Sequence, residues 1–123
     1  MTGTTAPARL YMVNIDCPDP HALVAFYRQL LGWDAPYDED EYGMITNGGT
    51  AIGFGRVDPY TPPAWPDEHG AKQFHLDLAV DDIPAAEQRC RELGATVPDY
   101  QPGDRWRVLL DPARDPFCLT TGG

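Results

Sequence analysis

One strand–helix unit occurs twice in this chain. Residues 10–19 read Leu-Tyr-Met-Val-Asn-Ile-Asp-Cys-Pro-Asp and lead into a helical pattern that stops at Leu31-Gly32. Residues 73–82 read Gln-Phe-His-Leu-Asp-Leu-Ala-Val-Asp-Asp and lead into a second helical pattern that stops at Leu93-Gly94. With Asp19 set against Asp82, His75 stands opposite Met12 and Asp77 opposite Asn14. A repeat of this kind implies two half-domains closing one shared cleft. The boundaries read as 8–57 for the first half, 58–72 for a linker and 73–122 for the second, together one domain over 8–122.

The local patterns support that division. Residues 10–15 alternate, with Tyr11, Val13 and Ile15 on one strand face and Met12 and Asn14 on the other. Asp19-Pro20 is a helix start, with Asp as cap and Pro in the first turn. Leu23, Phe26, Tyr27, Leu30 and Leu31 then give one buried helix face. Gly32 is the expected stop. Residues 38–41 form an acidic loop. Residues 42–46 and 50–57 read as a hairpin around Asn47-Gly48. Residues 58–70 hold four prolines and cannot make a regular ladder. The length of that linker, with its Tyr60 and Trp65, marks it as a further wall of the cleft. In the second half, Phe74, Leu76, Leu78 and Val80 share an apolar face while His75, Asp77 and Ala79 share the other. Asp82 caps a helix that buries Ile83, Ala86, Cys90 and Leu93. Residues 106–110 and 117–120 are closing strands around the turn 111–116.

Composition narrows the function. The 123 residues carry a net charge of −10. That surface repels a phosphate backbone, so nucleic acid is not an expected partner, whereas a cationic small molecule would be attracted. No apolar run approaches the roughly 20 residues of a membrane span. Residues 1–8 are polar and lack a secretory pattern, and read as a frayed tail. Cys17, Cys90 and Cys118 show no paired or zinc-type spacing and read as reduced thiols of a cytoplasmic protein.

The chain resembles the vicinal oxygen chelate superfamily, which includes glyoxalase I, extradiol dioxygenases and bleomycin-resistance proteins. The residues that carry the resemblance are Asp19-Pro20, Phe26-Tyr27, Leu30-Leu31-Gly32-Trp33, the run from His75 to Asp82, Leu93-Gly94-Ala95 and Asp111-Pro112. The resemblance implies an α+β fold of two βαβββ modules forming a cup-shaped mixed sheet, with helices on the convex side. Met12, Asn14, His75 and Asp77 would then point into the cup. One departure is visible: a glycine usual after Asp-Pro is replaced by Ala113, Arg114 and Asp115.

Metal-dependent members take His, Glu or Gln ligands from the first and last strand of each module. Carried over by position, the four slots here are Met12, Gly53, His75 and Cys118. Gly53 has no side chain, and the Met12 thioether suits hard or borderline ions poorly. His75 and Cys118 alone fall short of the three side chains a catalytic ion needs. Asp77 or Asn14 could substitute, and His75 and Asp77 lie on one strand face roughly 7 Å apart along the strand. The expectation is therefore no cofactor, with a divalent metal ion as the alternative.

His75 can serve as a general acid or base oriented by Asp77, or simply hydrogen-bond a neighbour. Cys118 reads as a small buried apolar residue. Trp65, Trp106 and Tyr60 are candidate ligand-binding aromatics, whereas Trp33 reads as packing under the first helix. Arg105 and Arg107 flank Trp106 and could meet an anionic group or stay solvated.

These features yield a first reading. The chain is a small-molecule-binding protein, a homodimer as the resemblance implies, that sequesters an aromatic or cationic compound at Met12, Asn14, Tyr60, Trp65, His75, Asp77, Trp106 and Cys118. The second reading is a lyase, isomerase or dioxygenase using a divalent metal or His75 and Asp77. The third is an accessory domain with no ligand.

Overall fold

The computed structural model describes residues 6–122. Part of the expected N-terminal tail, residues 1–5, lies outside the described residues. The elements run β1 (Met12–Cys17), α1 (Pro20–Leu31), β2 (Asp34–Asp38), β3 (Tyr42–Thr46), β4 (Ala51–Arg56), β5 (Leu76–Ala79), α2 (Ile83–Leu93), β6 (Trp106–Leu110) and β7 (Pro116–Thr120). They form two open sheets, ordered β1-β4-β3-β2 and β5-β7-β6. In each, the first strand pairs parallel with the last and the others run antiparallel.

Both helices begin and end as their sequences dictate. The Asp19 carboxylate accepts from the His21 N–H, and Gly32 closes α1 at φ 71°. The Asp82 carboxylate accepts from the Ala85 N–H, and Gly94 closes α2 at φ 117°. Helix α1 buries Leu23, Val24, Phe26 and Tyr27. It lies directly on β3, where a Cβ at Gly43 would stand 2.4 Å from Val24 Cγ2. Helix α2 lies shallower, with only Cys90 fully buried and Ile83, Ala86 and Leu93 partly so.

One core serves both sheets. Tyr27 stacks on Phe54 at 5.6 Å, and Phe26 meets Phe117 edge-on at 5.8 Å. Trp33 packs against this core as expected.

Several expectations change. Strand β1 starts at Met12 because β4 offers its first partner there, at Ala51. Leu10 and Tyr11 therefore have no ladder and stand exposed, and Val13 is partly exposed, so only Ile15 of the expected face packs on the core. Phe74 is likewise fully exposed. Gln73 sits at φ 60° and turns the chain just before it, so that Leu76, Leu78 and Val80 make the inward face without it.

Strand β2 went unread because Asp34-Ala-Pro-Tyr-Asp38 carries strand-breaking residues. It is an edge strand with an irregular register between Asp34 and Tyr37, where Pro36 costs no inner hydrogen bond. In the hairpin, only Gly48 takes positive φ, while the Asn47 side chain accepts from Gly49 and Thr50 N–H.

The second module lacks a regular strand after α2. A lone bridge, Thr96 to Leu110, stands in its place, because Pro98 and Pro102 interrupt the segment. The Gln101 side chain substitutes for a neighbouring backbone: Nε2 donates to Val108 O at 2.9 Å and Oε1 accepts from Val108 N at 2.8 Å. At the 111–116 turn, Arg114 takes the left-handed conformation, φ 66°.

Candidate functional site

The strand registers bring corresponding residues of the two modules into corresponding places. Asn14 pairs with Gly53, and Asp77 pairs with Cys118. Met12 and His75 each lie two residues upstream, on the same strand face. The four slots read from the sequence are thus two pairs on the concave faces of two sheets.

The second pair converges. His75 Nε2 stands 3.2 Å from Asp77 Oδ1. One donor atom each from His75, Asp77 and Cys118 lies within 4.8 Å of the others. Around them is a shallow pocket of about 250 Å³ lined by Lys72, His75, Asp77, Trp106, Cys118 and Thr120. Cys118 is buried. Burial first, then the Asp77 carboxylate, pushes its thiol up to about 11 against the opposing pull of Lys72.

The first pair does not offer comparable donors. A Cβ at Gly53 would stand 2.2 Å from Asn14 Oδ1, 2.7 Å from the Tyr42 hydroxyl and 3.0 Å from Met12 Cε. Those three groups therefore fill the place a ligand side chain would need. Tyr42 and Met44 share this concave face through their pairings with Gly55 and Gly53. Sequence reasoning missed both, since neither lies in the repeated segment.

The remaining predicted residues separate. Trp106 borders the concave pocket and is 38% exposed. Trp65 is only 9% exposed and packs on Val108 and Cys118, so it forms part of the floor of the second module's concave face rather than its rim. Lys72 Nζ lies 5.0 Å from its ring. Tyr60 lies elsewhere, donating a 2.8 Å hydrogen bond to Asp115 Oδ1. Arg107 turns to the other face and binds Glu87 of α2 at 2.6 Å.

A larger cleft of about 370 Å³ opens at the seam between β1 and β5. Asn14 and His75 reach its wall, so His75 borders both cavities. Its other polar groups are Asp16, Tyr60, Thr61 and Asp115, with Tyr27 below. Asp115 was noted in the sequence only as a departure from the usual glycine-bearing turn.

The fold and this paired arrangement have known counterparts. A glyoxalase-like domain model matches residues 12–120. The chain belongs to the glyoxalase-like family. No match was found among curated proteins.

Among solved structures, a glyoxalase/bleomycin resistance protein/dioxygenase family enzyme from Burkholderia phytofirmans PsJN is 25% identical. The match covers 91% of this chain and 97% of that one, with a TM-score of 0.69. The bleomycin-binding protein of Streptomyces verticillus, solved with copper(II)-bleomycin, is 16% identical over 97% of this chain and 100% of its own, at TM-score 0.58. The fosfomycin resistance protein FosX of Listeria monocytogenes, solved with Mn(II) and 1S,2S-dihydroxypropylphosphonic acid, is 13% identical over 97% and 93%, at TM-score 0.71. The last two likenesses are of fold. Among the described residues, no helix is long and apolar enough to cross a membrane.

Proposed function

We propose that this glyoxalase-like chain is a small-molecule-binding protein that takes an aromatic or cationic compound on its concave face without a working two-module metal site. One observation carries the reading. The first module sets Met12, Asn14 and the Tyr42 hydroxyl where metal ligands would stand, while the second keeps an aromatic-edged pocket at Trp106. Thioether, amide and phenol surfaces suit packing and hydrogen bonding of a ligand better than capture of a hard cation. The bleomycin-binding counterpart is a protein of this fold that holds a ligand. The reading includes a homodimer, supported by exposed Leu10 and Tyr11, and a cytoplasmic setting, supported by three free thiols.

The test is a thermal-shift screen of aromatic and cationic compounds, followed by titration calorimetry with Trp106→Ala. A ligand at 100 times its Kd adds about 2.7 kcal/mol of stability, which such a screen resolves. Hits weakened by Trp106→Ala support the reading; a screen without hits defeats it. Sedimentation equilibrium tests the dimer.

The His75–Asp77–Cys118 convergence favours a second reading, an enzyme of this fold. One imidazole, one carboxylate and one thiolate would suit a borderline divalent ion such as Zn²⁺ and leave a position open. Without metal, His75 and Asp77 form an acid–base pair. Elemental mass spectrometry after incubation with Fe²⁺, Mn²⁺, Ni²⁺ or Zn²⁺ decides. Near-stoichiometric metal that is lost in His75→Ala and Cys118→Ala supports the second reading, and substoichiometric metal indifferent to both supports the first.

A further inference from the structure

We propose that the seam between β1 and β5 is a separate binding site for an organic cation, an ammonium group on an aromatic or alkyl body, with Asp115 as its counter-charge. The inference rests on the reading of this chain as a small-molecule binder, but places the cation outside the concave pocket.

Three observations point there. The seam holds a cavity of about 370 Å³, within the size range of small-ligand sites. Its walls are mostly apolar or aromatic, including Val13, Ile15, Tyr27, Tyr60 and Phe74. Its charged residues are acidic: Asp16 and Asp115 line it, and no lysine or arginine does. Asp115 is the unusual member. Its Oδ1 accepts from Tyr60, but its buried Oδ2 has no hydrogen-bond partner among the described residues. A buried carboxylate oxygen without a partner is costly, and an ammonium supplies both the missing donor and the missing charge. The Tyr60 and Phe74 rings line the same cavity, and aromatic rings attract this ligand class.

The surroundings agree. Asp111 lies behind Asp115, its Oδ1 accepting from the Asp115 N–H at 3.1 Å, and Asp16 adds further negative potential. Burial, reinforced by Asp111 and Asp16 and opposed by the Tyr60 hydrogen bond, pushes the Asp115 carboxyl up to about 6. A bound cation would hold it ionised, so affinity should fall as pH drops below that value. His75 shares the cavity wall, and the Cys17 thiol lies close enough to feel Asp115.

The experiment is an NMR titration of the full chain at pH 7.5 with 2-phenylethylammonium and, as the neutral control, 2-phenylethanol. The ammonium should bind at least tenfold tighter than the alcohol and shift the amides of Asp16, Phe74 and Asp115. Asp115→Asn should abolish that preference, and lowering the pH to 5 should weaken it. Phe74 is fully exposed and does not support the fold, so Phe74→Ala is the second variant and should weaken both probes severalfold.

Equal binding of the two probes, or a preference that survives Asp115→Asn, overturns the site. So does indifference to Phe74→Ala, or a dimer that Phe74→Ala dissociates while neither probe binds, which would assign the seam to a second copy of the chain. Trp106→Ala separates this inference from the proposed function. Loss of the ammonium preference in that variant, with Asp115→Asn silent, moves the cation to the concave pocket and overturns the seam alone.

Discussion

The Tyr27 hydroxyl donates a 2.7 Å hydrogen bond to Asp111 Oδ2, joining residues 84 positions apart. It ties the first helix to the turn between the last two strands, inside the core. Asp111 is 2% exposed, and its other oxygen accepts from the Ala113 and Asp115 N–H groups. Burial raises this carboxyl, while those three hydrogen bonds resist the rise. Tyr27→Phe removes one of them. It should cost about 1.5–3 kcal/mol at neutral pH, the usual contribution of a hydrogen bond to a charged group. The loss should be smaller at an acidic pH below the raised titration of this carboxyl than at neutral pH. Urea unfolding of both proteins at the two pH values checks this.

Asp115 carries the opposite sign from an ordinary stabilising carboxylate. Its folded pKa, about 6, lies above the ordinary value of 3.8, so the folded state binds the proton more tightly. Stability from this group is therefore greatest below pH 4 and is lost as pH rises through about 6. Asp115→Asn should unfold at a higher temperature than wild type at pH 8, by an amount worth about 1 kcal/mol. The gap should close at pH 4. Calorimetry across that range measures it, and an unchanged gap would mean the carboxyl is not buried at cost.

His21 sits in an exposed clamp, with Nδ1 2.6 Å from Asp38 and Nε2 2.8 Å from Asp40. The hydrogen bonds to Asp40 and then Asp38 raise its pKa above 6.5. Its contribution is complete below 6.5 and disappears as pH rises through the raised folded value. An NMR titration should find His21 above the ordinary histidine range, moving back toward it in Asp40→Asn and in high salt.

Gln101 satisfies both backbone groups of Val108 at a place where the sheet has no further strand. Gln101→Ala should leave that buried residue's N–H and C=O without partners, at about 1–3 kcal/mol. Denaturant unfolding tests the loss. Hydrogen exchange should show faster exchange at the Val108 amide than at Cys118.

Trp65 covers Cys118. Trp65→Ala should open the concave face of the second module and make one of the three thiols react faster with a disulfide reagent. Mass spectrometry should place the label on Cys118. Cys17 and Cys90, buried in the main core, should stay slow.

Helix positions, their caps and the hairpin were legible because each depends on neighbours a few residues away. Asp19, Gly32, Asp82 and Gly94 act through local backbone geometry, and the buried faces of both helices follow from spacing along the chain. Phe74 was misread because alternation cannot see the turn at Gln73 or the absence of a ladder before Leu76. The packing of Trp65 on Val108 and Cys118 was not legible because a proline-rich linker carries no pattern saying where it packs.

The amino-acid sequence by itself determined the two-module α+β plan and the family resemblance. Those follow from residue identity and periodicity. Only the tertiary structure decided which distant groups meet: the His75–Asp77 pair with Cys118, Tyr27 with Asp111, and Tyr60 with Asp115 in the seam. Such contacts join residues from separate elements. Their chemistry depends on burial and on unmatched hydrogen-bonding groups, and both are properties of packing that no short stretch of chain encodes.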